Sequence, residues 1–127
     1  MSNYDLEEDI LLRFQICLSI IFIFTILVSI SLSYNSMMEC EGRDKIYSDS
    51  DALDVLRVNR VISLLVALGF VFINVYDKSV KEKYNLDKGN ADLQIIASIV
   101  TLVSSFIVLY VAFISNSSII NNENPEI

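Results

Sequence analysis

The side chains that carry most enzyme chemistry are scarce in this chain of 127 residues. It has no histidine, which removes the commonest general base and the commonest metal ligand. Its two cysteines, Cys17 and Cys40, are too few for a zinc site, and its three glycines lie too far apart to form a phosphate-binding loop. We therefore expect a protein that is not an enzyme, with no catalytic residue, no cofactor and no metal.

The acidic cluster of Asp49, Asp51 and Asp54 is a candidate calcium-binding loop. The cluster lacks the central glycine and the distal glutamate of an EF-hand. Carboxylates also complement the dipole at a helix N-terminus, and Ser48 with Asp51 three residues later resembles a capping box. We therefore interpret this cluster as the beginning of a helix rather than as a calcium site.

Three apolar runs, 14–32, 61–76 and 93–114, dominate the sequence, of which 54% is hydrophobic. At about 1.5 Å per helical residue the first run reaches about 28 Å, against a hydrocarbon core of about 30 Å. The second run is a turn too short, unless Arg60 extends outward and Tyr76 lies in the interface. The sequence predicts an all-α membrane protein with three transmembrane helices packed as a small bundle. A soluble helix for the second run and a cleaved signal peptide for the first are less favoured, the latter because the chain begins with an acidic segment.

The apolar runs divide the chain into seven predicted segments. They are an acidic head (1–13), transmembrane helix 1 (14–33), a polar loop (34–50), an interfacial helix continuous with transmembrane helix 2 (51–77), a lysine-rich loop (78–92), transmembrane helix 3 (93–115) and a polar, flexible tail (116–127). We expect the head to be helical from Leu6 onward. Asn90 or Asp92 is expected to cap the third helix.

Polar side chains recur inside the apolar runs at three-, four- and seven-residue spacing, which places them on one face of each helix. Polar groups are costly in lipid and tend to face other helices. We call this set the polar seam: Gln15, Ser19, Ser63, Asn74, Gln94, Ser98, Thr101 and Ser105. Gln15, Asn74 and Gln94 belong near the same membrane face, and we hypothesise that their amides form one hydrogen-bonded cluster. The seam could also line a pore, but packing is favoured because no ionisable residue is expected deep in a span.

Five basic residues are candidates for interfacial or partner contacts: Arg57, Arg60, Lys78, Lys81 and Lys83. For the two arginines an ordinary exposed ion pair with Asp54 is the first interpretation, interfacial anchoring the second, and binding of a partner's acidic surface or a lipid phosphate the third. Five Lys and Arg residues lie on the side of the head and second loop and four on the other, out of nine in total. This small excess favours a head and second loop on the cytoplasmic side.

The sequence favours a structural or assembly subunit of a larger membrane complex or of a virion membrane. The chain has no segment long enough for a sizeable soluble domain, so the lipid bilayer and protein partners are the surroundings its surface must fit. A net charge of −7 disfavours nucleic acid. A small homo-oligomeric channel or pore is the alternative function, and a homo-oligomer is compatible with both.

Overall fold

A computed structural model describes residues 2–114, which form three α-helices. These are α1 (Asn3–Cys40), α2 (Asp49–Lys83) and α3 (Ala91–Ile114). No strand occurs in this range, and α2 packs against both other helices, so the predicted all-α fold is confirmed. Each helix is long and apolar enough to cross a membrane, which identifies a multi-pass membrane protein by length and composition. The predicted tail, 116–127, lies outside the described residues, as does residue 115.

The first two helices extend well past their apolar runs. α1 has 38 residues and α2 has 35, so they are about 57 Å and 52 Å long against a hydrocarbon core of about 30 Å. The head is helical from Asn3, and α1 continues to Cys40 through the first part of the segment predicted as a polar loop. α2 likewise continues to Lys83, into the predicted lysine-rich loop.

Serine side chains cap the beginnings of α1 and α2. Ser2 Oγ accepts a hydrogen bond from the backbone N–H of Asp5 at 3.1 Å. Ser48 Oγ does the same for Asp51 at 3.1 Å, which confirms the predicted cap. Each bond satisfies one of the N–H groups that a helix N-terminus leaves without an intrahelical acceptor.

α2 lies between α1 and α3. Within the described chain no Cα atom of α1 comes within 8 Å of a Cα atom of α3. The contact face of α3 is narrow: its buried residues recur every seven positions, at Ala91, Ser98, Ser105 and Ala112. Small side chains at this spacing let the α3 backbone approach α2 closely.

The bundle has two ends of different composition. We call one end the head end, which is formed by the beginning of α1, the end of α2 and the beginning of α3. We call the opposite end the link end, because the link between α1 and α2 (41–48) lies there. Near the head end Leu18, Val66 and Ile73 form a buried cluster. A second cluster at the link end consists of Leu32, Ala52, Leu56 and Ala112.

Gly69 permits the close approach of α1 and α2 beside the head-end cluster. A Cβ atom at this position would lie only 2.6 Å from Leu18 Cδ1. Such a distance is well below carbon–carbon contact, so any larger side chain would push Leu18 aside. A larger residue at position 69 therefore fits only if the Leu18 side chain moves.

Candidate functional site

Asn59 joins α2 to α1 at the link end. Its side chain, in a residue only 3% exposed, donates to the carbonyl oxygen of Thr25 and to Ser29 Oγ, both at 3.2 Å. Thr25 Oγ1 in turn donates to the carbonyl oxygen of Phe22. Sequence reasoning missed this network because Asn59 lies just before the second apolar run. The four-residue spacing of Thr25 and Ser29 on an apolar helix is the signal that could have indicated it.

The link between α1 and α2 folds back onto α1 through Tyr47. The backbone N–H of Tyr47 donates to Asn35 Oδ1 at 2.8 Å, and the Tyr47 hydroxyl lies 3.3 Å from Ser31 Oγ. Asn35 is buried. These bonds attach the link to the end of α1, so the link end has a defined shape as far as α2.

Arg57 reaches across to the last described turn of α3. Its Nε donates to the carbonyl oxygen of Ala112 at 3.2 Å, and its Nη2 donates to that of Phe113 at 3.4 Å. The guanidinium carbon also lies 5.5 Å from the centre of the Phe113 ring. A cation beside backbone carbonyl oxygens toward the C-terminal side of a helix is attracted to the negative end of the helix dipole. The structure therefore places Arg57 within the chain's own packing.

Arg60 lies inside the bundle and is only 3% exposed. From the sequence, an exposed ion pair is the first interpretation for it, and interfacial anchoring with the side chain extending outward is the second. In the structure α2 continues as a helix on both sides of Arg60, and the side chain points among the helices instead. A charged group at this depth is expected to face the interior of a bundle, since lipid would solvate it poorly.

At the head end the three amides of the hypothesised cluster line one cavity of about 190 Å³. Asn74 Nδ2 donates to the backbone carbonyl oxygen of Gln94 at 3.3 Å and to Ser98 Oγ at 3.1 Å. Gln15 and Gln94 are themselves exposed. The geometry thus gathers the amides around a common space, and the hydrogen bonds of Asn74 go to a backbone carbonyl and a hydroxyl.

Two carboxyl groups that sequence reasoning did not single out, those of Glu8 and Asp77, line the same cavity. Burial is the main cause of a raised pKa at Glu8, which lies in the head before the first apolar run. A hydrogen bond to Asp77 and the negative charge of Asp77 raise this pKa further, while Lys81 opposes them. Lys81 Nζ pairs with Asp77 Oδ2 at 3.0 Å. The Glu8 carboxyl in this cavity is therefore protonated more readily than an ordinary glutamate.

Lysines complete the connections between helices at the head end. Lys83 of α2 pairs with Glu7 of α1 at 3.1 Å, and Lys78 of α2 pairs with Asp92 of α3 at 2.5 Å. Hydrogen bonds to these carboxylates raise the pKa of both lysines. The three lysines predicted for interfacial or partner contacts, Lys78, Lys81 and Lys83, thus all form ion pairs within the chain.

The remaining polar seam divides into a buried and an exposed part. Ser63, Ser98 and Ser105 are buried, whereas Ser19 and Thr101 are exposed. Four of these hydroxyls donate to a carbonyl oxygen one turn earlier in their own helix: Ser19 to Gln15, Ser98 to Gln94, Thr101 to Ala97 and Ser105 to Thr101. Ser63 Oγ has no hydrogen-bond partner among residues 2–114.

A groove of about 450 Å³ runs between α1 and α3 over the surface of α2. Ser63, Ala67 and Phe70 of α2 form its floor, and Ser19, Phe22, Ile23 and Thr101 line its walls. We call it the α1–α3 groove. Among residues 2–114 no Cα atom of α1 lies within 8 Å of a Cα atom of α3, which leaves this space between the two outer helices.

The two cysteines are free and exposed. The sequence suggests Cys17 as a small packing residue, but the structure turns it away from the helix contacts. Cys40 is the last residue of α1, at the link end, where a disulfide to another molecule would be accessible. Over residues 2–114 no group of three Cys, Asp or Glu side chains is arranged to hold a metal ion.

Compared with known proteins, the chain matches no protein-family model, no curated protein sequence and no solved structure. Its function must therefore be argued from the helices and side chains described above.

Proposed function

We propose that this chain is a non-enzymatic structural or assembly subunit of a larger membrane complex or virion membrane. The observation that supports this proposal is the exposure of polar positions within or beside the apolar spans, at Gln15, Ser19, Gln94 and Thr101. Polar side chains are costly against lipid and tend to face other helices. The spans of a single chain leave them uncovered, so helices from outside the chain are expected there.

The charged ends support the same proposal and indicate the chemistry of a neighbour. The basic side chains at the head end are paired internally, whereas the exposed side chains around the link and the beginning of α2 include Asp44, Asp51 and Asp54. A net charge of −7 leaves the exposed surface acidic. Neighbouring proteins that dock on the link end are therefore expected to present basic surfaces.

Native mass spectrometry of the protein extracted from its own membrane in a mild detergent tests the proposal. We expect other polypeptides to accompany the chain in fixed ratio. Replacing Asp51 and Asp54 by asparagine should weaken a docked neighbour, while the same change at Asp5, at the opposite end, serves as the matched control. A chain that is extracted with no other polypeptide, across several detergents, would contradict an assembly role.

A small homo-oligomeric channel is the second candidate, because the head end contains a polar cavity of about 190 Å³ with two carboxyl groups and three amides. Polar groups of this kind line ion pathways. Reconstitution of the purified protein in liposomes distinguishes the two functions. A channel should conduct, and Gln94→Leu should change its conductance, whereas a scaffold should show no conductance and should tolerate this substitution.

We also propose that the head end faces the cytoplasm, in line with the excess of basic residues on that side. Cys40, exposed at the link end, then faces the opposite compartment. In the Cys17→Ser variant a membrane-impermeant maleimide added to intact cells should label Cys40. Labelling of Cys40 only after the membrane is permeabilised would show that the link end, not the head end, faces the cytoplasm.

A further inference from the structure

The α1–α3 groove lies at the level of the middle of the apolar runs of α1 and α3. Phe22 and Ile23 lie near the centre of the run 14–32, and Thr101 lies near the centre of the run 93–114. Lipid acyl chains can fill an apolar groove at this depth. They cannot, however, form hydrogen bonds with the polar groups in the groove.

Ser63 is the most informative of these groups. The residue is 3% exposed, and its hydroxyl has no partner among residues 2–114, although the other four seam hydroxyls donate to carbonyls of their own helices. A buried hydroxyl without a partner costs free energy, and the cost is greater where water is absent. Because a serine hydroxyl turns about one bond, an acceptor brought into the groove could take up its hydrogen. Such an acceptor must come from a helix that carries polar side chains.

The chain itself carries a helix face of this kind. Ala97, Thr101 and Ser104 recur at four- and three-residue spacing on α3, and all three are exposed in the single chain. They are small, so they allow close backbone approach, and two of them bear hydroxyl oxygens that can accept a hydrogen bond. Thr101 already forms part of the groove wall, so this face adjoins the groove.

We propose that two copies of this chain pair through α3, with the Ala97–Thr101–Ser104 face of each copy entering the α1–α3 groove of the other. Both copies have the same orientation in the membrane, so a two-fold axis along the membrane normal relates them. The contact is then isologous and closed, since the same face and the same groove are used twice. This pairing does not depend on the assembly role proposed above, because a dimer can exist alone or within a larger complex.

Disulfide cross-linking in membranes tests the pairing. In the full chain with Cys17→Ala and Cys40→Ser, a single cysteine is introduced by Ser104→Cys or, as the matched control, by Val103→Cys. Val103 is the preceding residue, 52% exposed and on a different face of α3. After oxidation the Ser104→Cys chain should give at least ten times more dimer than the control. Equal cross-linking at both positions, or none at either, would overturn the proposal.

Two further variants keep the test independent of folding. Ser63→Ala removes a hydroxyl without a described partner, so the single chain should keep its helicity and stability while the dimer dissociates at several-fold higher concentration. Ala97→Phe should reduce dimer at least tenfold, and Val103→Phe, at an exposed position on another face, should not. If Ser104→Cys instead joins a different polypeptide, the groove binds a partner and the second-copy proposal is wrong. Co-extraction of that polypeptide would leave the assembly role intact.

Discussion

At the link end, Asn59 and Arg57 connect the helices by donating to carbonyl and hydroxyl oxygens, whereas at the head end Lys78 and Lys83 connect them by pairing with carboxylates. Lys45 does pair with Glu39 and Asp49 at the link end, but on the outside of the link. The interior of the link end is therefore joined by hydrogen bonds that are shielded from water. The helices of the head end are connected by exposed ion pairs, which salt screens.

This difference follows from where each contact lies. Asn59 is enclosed by α1, so water does not compete for its hydrogen bonds. Lys83 and Asp92 are largely exposed, and ion pairs in such places add little to stability. We infer that the link end holds the bundle together and that the head end is the part of the molecule that responds to its surroundings.

The largest effect is expected for a substitution that tests whether apolar packing, rather than ion pairing, stabilises the half of the bundle at the head end. Gly69→Ile should lower the free energy of unfolding by about 2 kcal/mol, because the added side chain overlaps Leu18. Unfolding of the full chain in mixed micelles, followed by far-UV circular dichroism, measures it. Val75→Ile enlarges an exposed residue of the same helix and should change little. An equal loss in both variants would show that Gly69 is not a special position.

The second test compares matched asparagines at the two ends. Asn59→Leu should lower the free energy of unfolding by about 1 kcal/mol and Asn74→Leu by about half as much, since hydrogen bonds between helices in membranes average about 0.6 kcal/mol each. Both side chains make two bonds, but Asn74 is less buried and borders a cavity. The same unfolding measurement applies to both variants. A greater loss of unfolding free energy in Asn74→Leu would show that the head end, not the link end, is the more stable one.

A smaller effect is expected at the end of α3. Arg57→Met should destabilise the chain by about 0.5 kcal/mol, because the carbonyl oxygens of Ala112 and Phe113 lose a nearby cation and its two hydrogen-bond donors. Hydrogen exchange of the last α3 amides should become faster while amides near Ala91 are unaffected. Arg43→Met, in the exposed link, is the control. Unchanged hydrogen exchange at the last described turn of α3 would show that Arg57 does not stabilise it.

The smallest effect is the pH dependence of the head end. The pKa of Glu8 is raised above its ordinary value of 4.5, so its contribution to stability is present below that pH and is lost as pH rises through the raised pKa. Asp77 and Lys81 face Glu8 from α2 and take part in this equilibrium. Glu8→Gln should flatten the decline in stability on the alkaline side of pH 4.5. A decline of the same size in Glu8→Gln would assign it to another group.

The sequence was sufficient to predict the parts of the fold that depend on local spacing. Apolar run lengths predicted three spans, and Ser48 with Asp51 predicted the beginning of α2. The buried Ser98 and Ser105 lie seven residues apart, as a helix contact face requires. These features depend on helix geometry alone, so one sequence contains enough information for them.

The choice of partners between helices could not be predicted in this way. Asn59 and Arg60 lie beside an apolar run, and only the position of α1 and α3 decides that both are buried. The same holds for Cys17, which a helical pattern does not distinguish from a packed residue. Nothing in the spacing of the seam indicates that the backbones of α1 and α3 stay apart on the surface of α2, which leaves the groove between them.

The central position of α2 also bears on how the protein is made. Because the backbone of α1 comes close to that of α2 and not to that of α3, the α1–α2 contacts can form as soon as α2 has left the ribosome. α3 then adds to a surface that already exists, and its arrival requires no rearrangement of α1. Synthesis can therefore proceed in two steps, an α1–α2 hairpin followed by docking of α3, with the connection 84–90 as the natural boundary between them.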